Sequence, residues 1–238
     1  MRIVFATTVW ALFSLSSQAG TITFTGIQVD LNGTGFGNVL NLLSVQNTDS
    51  EFGSVLWNGA ADVLTDNATN TSKTQTAAVM QSVGIGSTFS AIYNGNEPGN
   101  ASSSTLHGFK LHFQGADGSS LFDLLYTAPA GGLSISDFGG TGQAGWIFAV
   151  SLAGNEAAQF FGNGANRVGM SIDRDEAIGD VAGGAENFFL HHGTDGPSSG
   201  GGGEPTPEPG SIAVWMIAAL AAIQGARVRR RTKIANCA

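Results

Sequence analysis

The stretch TITFTGIQVDL, residues 21–31, alternates apolar and polar side chains in the pattern of a β-strand with one buried face. Ile22 and Phe24 lie on one phase of this alternation, whereas the apolar residues that follow Gly26 lie on the other phase, starting at Ile27. A glycine inside a strand pattern often marks a bulge. The stretch therefore predicts a long strand with an irregularity at Gly26.

Short strand-like segments recur along the chain and are separated by glycine-containing turns. The further predicted strands cover residues 38–45, 83–93, 106–114, 121–126, 145–152, 167–172 and 187–191. The turn signals between them include Asn94-Gly95, Asp117-Gly118 and Gly131-Gly132. Regularly spaced strands joined by such turns are typical of all-β domains. We therefore predict a mainly β fold, an antiparallel β-sandwich.

Two short helices interrupt the predicted strands. Residues 74–82 have a helical pattern, and residues 154–161 combine alanine with glutamate, which favours a helix that Asn155 would cap. Both segments are too short to form a helical layer of their own. The prediction is therefore a β-sandwich with one or two short helices.

The charge of the chain is distributed unevenly. All 18 acidic residues lie between Asp30 and Glu208, together with only four basic residues, so this part has a net charge of −14. Such an acidic body repels phosphate backbones, and we expect no nucleic-acid partner. Cys237 is the single cysteine, so the body contains neither a disulfide nor a thiolate nucleophile.

The N-terminal segment has the layout of a secretory signal. Arg2 precedes an apolar run over residues 3–15, which is shorter than the roughly 20 residues that span a bilayer. Small residues at Ser17 and Ala19 predict cleavage by signal peptidase between Ala19 and Gly20 after export through the Sec machinery. We therefore divide the chain into a signal peptide, residues 1–19, and a β-rich exported domain, residues 20–193.

The C-terminal segment has the layout of a membrane anchor. A Gly/Ser/Pro-rich linker, residues 194–205, leads to an uncharged apolar run, residues 211–226. As a helix this run is about 24 Å long, at the short limit of a transmembrane span. Basic residues follow directly and predict that this end stays in the cytoplasm: Arg227, Arg229, Arg230 and Arg231.

Pro207-Glu208-Pro209, the apolar run and the arginine group, in this order, resemble the PEP-CTERM sorting signal of Gram-negative bacteria. The resemblance covers residues 206–233, and Thr206 stands where the family usually has valine. It implies that an exosortase, a membrane-embedded transpeptidase, recognises and cleaves the tail during export. Prolines keep this motif extended, which leaves its backbone accessible to a protease.

The densest acidic group of the body is a weak candidate for a metal site. Asp173, Asp175 and Asp180 could supply oxygen ligands for Ca²⁺, but Ala177 and Ile178 occupy positions that an EF-hand loop reserves for a ligand and for the turn glycine. We interpret the group as a solvated acidic loop. We therefore predict no metal site and no cofactor.

The histidines and one glycine motif resemble parts of functional sites, but their positions in the sequence do not support such sites. His107 and His112 are placed on one predicted strand with opposite facing, and His191-His192 are neighbours, so we expect each to be an isolated surface or edge histidine. The sequence GTGQAG at residues 140–145 matches a dinucleotide fingerprint, but a strand follows it where the fingerprint needs a helix. We exclude a dinucleotide site on that ground.

Three functions are compatible with these observations. The resemblance of the tail implies a non-enzymatic protein of the cell envelope or extracellular matrix, anchored transiently in the inner membrane and then released to the cell surface. The alternative is a carbohydrate-binding module, with exopolysaccharide as the candidate ligand and Trp57, Tyr93 or Trp146 as stacking platforms. A hydrolase with paired carboxylates is the third, although no such pair stands out in the sequence.

Overall fold

Most of the residues that the structure describes lie in antiparallel β-strands. The computed structural model describes residues 19–30, 39–47, 50–95, 103–136, 144–179 and 185–194. By its internal contacts the chain divides into two units, Met1–Gly200 and Gly201–Ala238, and all described residues belong to the first. The prediction of a mainly β, antiparallel fold is confirmed for this part of the chain.

The described elements comprise thirteen strands and two α-helices. In chain order the strands are β1 (Thr21–Asp30), β2 (Val39–Gln46), β3 (Gly53–Trp57), β4 (Asp62–Asp66), β5 (Gln75–Thr76), β6 (Thr88–Asn94), β7 (Ser103–Leu106), β8 (Gly108–Gln114), β9 (Ser120–Thr127), β10 (Leu133–Ser136), β11 (Ala144–Ser151), β12 (Arg167–Ile172) and β13 (Ala185–His192). The helices are α1 (Ala77–Ser82) and α2 (Gly154–Phe161).

The strands form two principal sheets and one small sheet. The first sheet has the order β1-β11-β6-β13-β2, and the second has the order β4-β3-β12-β8-β9, with β5 paired to β12. Strands β10 and β7 form a separate pair. Few neighbours in either principal sheet are consecutive in sequence, so most of the pairings are long-range.

Aromatic side chains from the two principal sheets meet in one core. Phe109 of β8 contacts Phe148 of β11 with ring centroids 5.1 Å apart and Phe188 of β13 with centroids 5.3 Å apart. Tyr126 of β9 contacts Phe148 at 4.8 Å. The three phenylalanines are fully buried. The inner faces of the two sheets therefore pack against each other in a sandwich-like arrangement.

The opposite face of the first sheet also carries a buried apolar cluster. Ile92 of β6 and Ile147 of β11 have no exposed surface and form a second cluster with Val29 and Phe189. Residues on either side of Ile92 face the main core, as the period of two along a strand requires. This apolar cluster lies among polar residues of the same face, such as Ser90, Asn94 and His191, which are also buried.

The irregularity predicted in the first strand is confirmed. β1 pairs with β11 throughout, and its register shifts between Phe24 and Gln28. Gly26 lies inside this shift with φ of +71°, a conformation that glycine adopts without steric strain. The register shift takes up two extra residues of β1, so Phe24 faces the main core and Val29 faces the opposite cluster, as in a regular strand.

Two of the predicted strands were wrong in their extent. The segment 83–93 forms a strand only from Thr88, because Val83 ends α1 and Gly84 turns the chain with φ of +82°. The segment 106–114 is split at His107 between β7 and β8, which belong to different sheets. The hairpin formed by β3 and β4 was not predicted.

Both predicted helices are present, with different starting signals. α1 begins at Ala77 and is capped by Thr76, whose Oγ1 accepts a hydrogen bond from the Val79 N–H at 3.2 Å. The predicted start at residue 74 is wrong because the chain there pairs with β12 instead. α2 has its predicted bounds, but its N-cap is Ala153 rather than Asn155.

No helix in the described ranges is both long enough and apolar enough to cross a bilayer. The predicted transmembrane run 211–226 lies outside those ranges. The same holds for the predicted signal peptide up to residue 18 and for most of the linker.

Candidate functional site

The outer face of the second sheet carries polar side chains from neighbouring strands. Lys110 of β8 is in register with Ser171 of β12, and Ser171 is in register with Ser54 of β3. His112 of β8 is in register with Asp123 of β9. Residues in register on antiparallel strands point to the same face, so the sheet pairing brings these side chains together.

A pocket of about 270 Å³ opens on this face. Apolar groups of Phe52 and Leu56 contribute to its wall, and Ile172, whose side chain is buried in the core, borders it. The remaining lining is polar or charged and includes Ser54, Thr65, Asp66, Lys110, His112, Ser171, Asp173 and Arg174. Such a mixture of apolar walls and convergent polar groups is typical of a small-ligand site.

Ser171 and His112 of this pocket form a continuous hydrogen-bonded chain with Asp123, which lies outside its lining. The Nδ1 atom of His112 lies 3.1 Å from Oδ1 of Asp123, and its Nε2 atom lies 2.9 Å from Oγ of Ser171. An ionised carboxylate can only accept hydrogen bonds, so Nδ1 carries the ring proton and donates a hydrogen bond to Asp123. Nε2 is then the acceptor for the hydroxyl proton of Ser171.

The environment of His112 favours its neutral form. Burial lowers the pKa of His112 below its usual value, and the opposing attraction of Asp123 offsets this only in part. The side chain of His112 is 17% exposed, whereas that of Asp123 is 44% exposed. At neutral pH the ring therefore has a free lone pair on Nε2 directed at Ser171.

The other polar groups of the pocket are held by separate contacts. The hydroxyls of Ser54 and Thr65 lie 2.9 Å apart, and Nζ of Lys110 lies 3.7 Å from Oδ2 of Asp173. The guanidinium carbon of Arg174 lies 4.6 Å from the centre of the Phe52 ring. The pocket rim thus has both signs of charge.

The structure describes two of the three candidate metal ligands in the acidic loop. Asp173 and Asp175 are exposed, and Asp180 lies outside the described residues. Burial raises the pKa of Glu176 in the same loop, with a further contribution from the negative charge of Asp173. Within the described ranges no three side chains of metal-ligating type are grouped closely enough to hold an ion.

The aromatic residues of the carbohydrate-binding alternative all have contacts within the protein. Tyr93 is fully buried in the core. Trp146 packs against Phe24 with ring centroids 5.6 Å apart, and the guanidinium of Arg167 lies over the ring of Trp57 at 3.9 Å. Tyr93 is therefore inaccessible to a ligand, and one face of Trp57 is covered.

The expectation of isolated surface histidines was wrong for two of the four. His112 is bonded on both ring nitrogens, and His191 is buried. His107 lies between two strands rather than on a strand with His112. The Ser171–His112–Asp123 arrangement was not predicted, although the hairpin LHFQGADGSSLFD contained a signal. Its turn, around Gly118, places His112 opposite Asp123.

The predicted sorting and orientation residues lie outside the described residues: Pro207, Glu208, Pro209, Arg227, Arg229, Arg230 and Arg231. Of the predicted signal-peptidase site, Ala19 and Gly20 are described. Comparisons of this chain with protein-family models, with curated proteins and with solved structures find no match. Any functional argument therefore depends on the residues themselves.

Proposed function

We propose that the chain is an exported protein of the cell envelope or extracellular matrix of a Gram-negative bacterium, sorted by an exosortase. The observation that carries the proposal is the tail: Pro207-Glu208-Pro209, a short apolar run and an arginine group follow one another. The signal segment directs the body outward, and the arginines keep the end of the tail inside. The short run holds the precursor only until the tail is cut.

The position of the first strand supports the proposed signal cleavage. β1 begins at Thr21, directly after the predicted cut between Ala19 and Gly20. The backbone nitrogen of Gly20 lies 2.9 Å from Oε2 of Glu156, an oxygen that also accepts from the Ala153 N–H. Cleavage at this bond would turn the Gly20 amide into an ammonium group beside a carboxylate.

Glycine at position 20 suits this arrangement. A Cβ atom there would lie 2.4 Å from Oε2 of Glu156 and 2.8 Å from the carbonyl oxygen of Ser151. These distances are shorter than van der Waals contact, so a larger residue would displace the new terminus from Glu156. The N-terminal ammonium would therefore add a charge-assisted hydrogen bond to the mature protein.

The proposed mature terminus gives a stability test. Glu156→Gln should lower the Tm of the form that starts at Gly20 by about 2–4 °C, because it removes an ion pair of about 1 kcal/mol at a half-buried site. The uncut chain, which has an amide at Gly20, should lose less. Asp175→Asn, which changes an exposed carboxylate, is the control. Equal losses in the cut and uncut forms would show that the Gly20 ammonium does not pair with Glu156.

The tail is tested in a host that has a working exosortase. Mass spectrometry of the exported protein should find no peptide beyond about Ser211. Replacing Pro207-Glu208-Pro209 by alanines should leave the uncut chain in the membrane fraction, because the extended recognition segment is lost. Pro205→Ala, just outside the motif, is the matched control and should be processed normally. A surface protein that retains the apolar run would identify the tail as a plain membrane anchor.

A second candidate function is the binding of exopolysaccharide in the pocket of the second sheet. The observation that favours it is the set of hydroxyl and charged groups that converge there, since the proposed aromatic platforms have contacts elsewhere. Asp66 has φ of +53°, which asparagine tolerates, so Asp66→Asn removes a rim charge without backbone strain. Glycan-array binding that weakens in this variant would support the candidate, and an array without signal would reject it.

A further inference from the structure

We propose that Ser171, His112 and Asp123 form a catalytic site that hydrolyses short-chain acyl esters. The inference goes beyond export and sorting, and it concerns the body of the protein rather than its tail. It rests on the hydrogen-bonded chain of the three side chains and on the pocket into which Ser171 and His112 open.

The geometry is that of an activated serine nucleophile. The base lies within hydrogen-bond reach of the nucleophile, at 2.9 Å, and a third group at 3.1 Å orients the base. This combination of nucleophile, base and orienting group defines nucleophilic catalysis by hydroxyl groups on unrelated folds. The three residues lie on three adjacent strands, β12, β8 and β9, so the sheet itself holds their relative positions.

The charge state of the site permits proton transfer at neutral pH. The groups that face His112 are Asp123 from β9, Ser171 from β12, Lys110 on its own strand and Asp173 beyond the end of β12. Burial outweighs the attraction of the two carboxylates and lowers the pKa of His112, so the ring is a free base near pH 7. Asp123 stabilises the imidazolium that forms when the ring takes a proton.

The reaction consumes an ester and water and releases an alcohol and a carboxylic acid. Oγ of Ser171 bonds to the acyl carbon as its proton passes to Nε2 of His112, and the carbonyl electron pair moves to oxygen. When the pair returns, the bond to the alkoxide breaks and the alkoxide takes the proton from Nε2. Water then attacks the acyl carbon of the acyl-serine as its proton passes to Nε2. The bond from the acyl carbon to Oγ breaks, Oγ takes the proton from Nε2, and the carboxylic acid is released.

Lys110 is the candidate for stabilising the negative oxygen of the intermediate. It is in register with Ser171, so the two Cβ atoms lie about 5 Å apart on the same face. Its Nζ atom reaches Asp173 at 3.7 Å, an exposed contact that the flexible side chain can leave. The attraction between a cation and the acyl oxygen strengthens as negative charge develops on that oxygen.

The size of the pocket indicates the substrate class. The pocket has a volume of about 270 Å³ and is open to solvent. Phe52 and Leu56 supply a small apolar wall for an acyl group. Acetyl to butyryl esters are therefore expected to react faster than esters of longer acyl chains, which this wall cannot cover.

The experiment measures hydrolysis of p-nitrophenyl acetate, butyrate and octanoate by the full chain in detergent. Acetate or butyrate should be hydrolysed with kcat/KM at least 10-fold above that for octanoate. Ser171→Ala should lower kcat/KM at least 100-fold. Ser151→Ala, which changes an exposed strand serine of the first sheet, is the matched control and should leave the rate unchanged. Equal rates for the wild type and Ser171→Ala would overturn the proposal.

Covalent labelling and the pH profile test the wild type, so they do not depend on how well a variant folds. A fluorophosphonate probe should modify Ser171, located by peptide mass spectrometry, and the rate should rise with pH to a plateau reached by about pH 7. Asp123→Asn should lower kcat by at least 10-fold and change the pH dependence of the rate, with KM nearly constant. A wild type that is not labelled at Ser171 would reject the catalytic role.

Discussion

The two principal sheets share one core but differ on their outer faces. Outside the first sheet, Ile92 and Ile147 are fully buried. Outside the second sheet, His112 and Lys110 line an open pocket, and Leu125 is 52% exposed. The two sheets therefore differ in how far solvent reaches their outer sides, although both have apolar residues there.

The sequence of each sheet carries this difference. Two strands of the first sheet contain continuous apolar runs, WIFAV in β11 and FFL in β13, whereas β8 in the second sheet alternates as FKLHF. Continuous apolar runs are typical of strands buried on both faces, and alternation is typical of strands with one face in contact with solvent. The polar outer face of the second sheet, where His112 and Ser171 are hydrogen-bonded to each other, is also where a site can form.

The largest effect expected from this comparison is on stability. Ile92→Ala should lower the free energy of unfolding by about 2–5 kcal/mol, because it leaves a cavity on a fully buried outer face. Leu125→Ala, on the outer face of the second sheet, should change it by less than about 0.5 kcal/mol, because that side chain is half exposed. Urea denaturation followed by tryptophan fluorescence measures both. Losses of equal size would remove the distinction between the two faces.

The second effect concerns His191, a buried histidine of the first sheet. His191 of β13 is 4% exposed, and burial, together with the neighbouring His192, lowers its pKa to about 4. The neutral ring is favoured in the folded protein, so the unfolded chain binds the proton more tightly. The contribution of His191 is present above pH 6.5, its ordinary value, and is lost as the pH falls from 6.5 to about 4.

The loss over that range amounts to about 3 kcal/mol, from about 1.4 kcal/mol per pKa unit. Urea denaturation at several pH values should show a smaller decline in His191→Gln than in the wild type. The difference between the two isolates His191, because carboxyl groups such as Glu176 titrate in both proteins. A decline of the same size in both would show that the buried ring of the first sheet does not control acid stability.

The smallest effect is expected from Ca²⁺. Adding Ca²⁺ or a chelator should shift the Tm by less than about 1 °C, because Asp173 has Lys110 as a partner and is exposed together with Asp175. Differential scanning calorimetry measures the shift. A rise of several degrees that disappears in the Asp173→Asn, Asp175→Asn double variant would show instead that the acidic loop beside the second sheet binds the ion.

Local sequence patterns predicted the elements whose signals are local. The segment 167–172 is β12 with the same bounds, and the segment 154–161 is α2. The bulge at Gly26 followed from a phase change within ten residues. The hairpin of β3 and β4 was missed because its strands, GSVLW and DVLTD, do not alternate apolar and polar residues.

The candidate site divides along the same line. His112 and Asp123 belong to consecutive strands joined by a tight turn, so their pairing was already encoded in the local sequence. Ser171 lies 59 positions from His112, and only the antiparallel pairing of β12 with β8 brings its hydroxyl to the ring. The sequence by itself determined most strands of the two principal sheets, but not β3 and β4. The tertiary structure decided which strands are neighbours, because long-range pairing depends on packing of the whole core rather than on any local pattern.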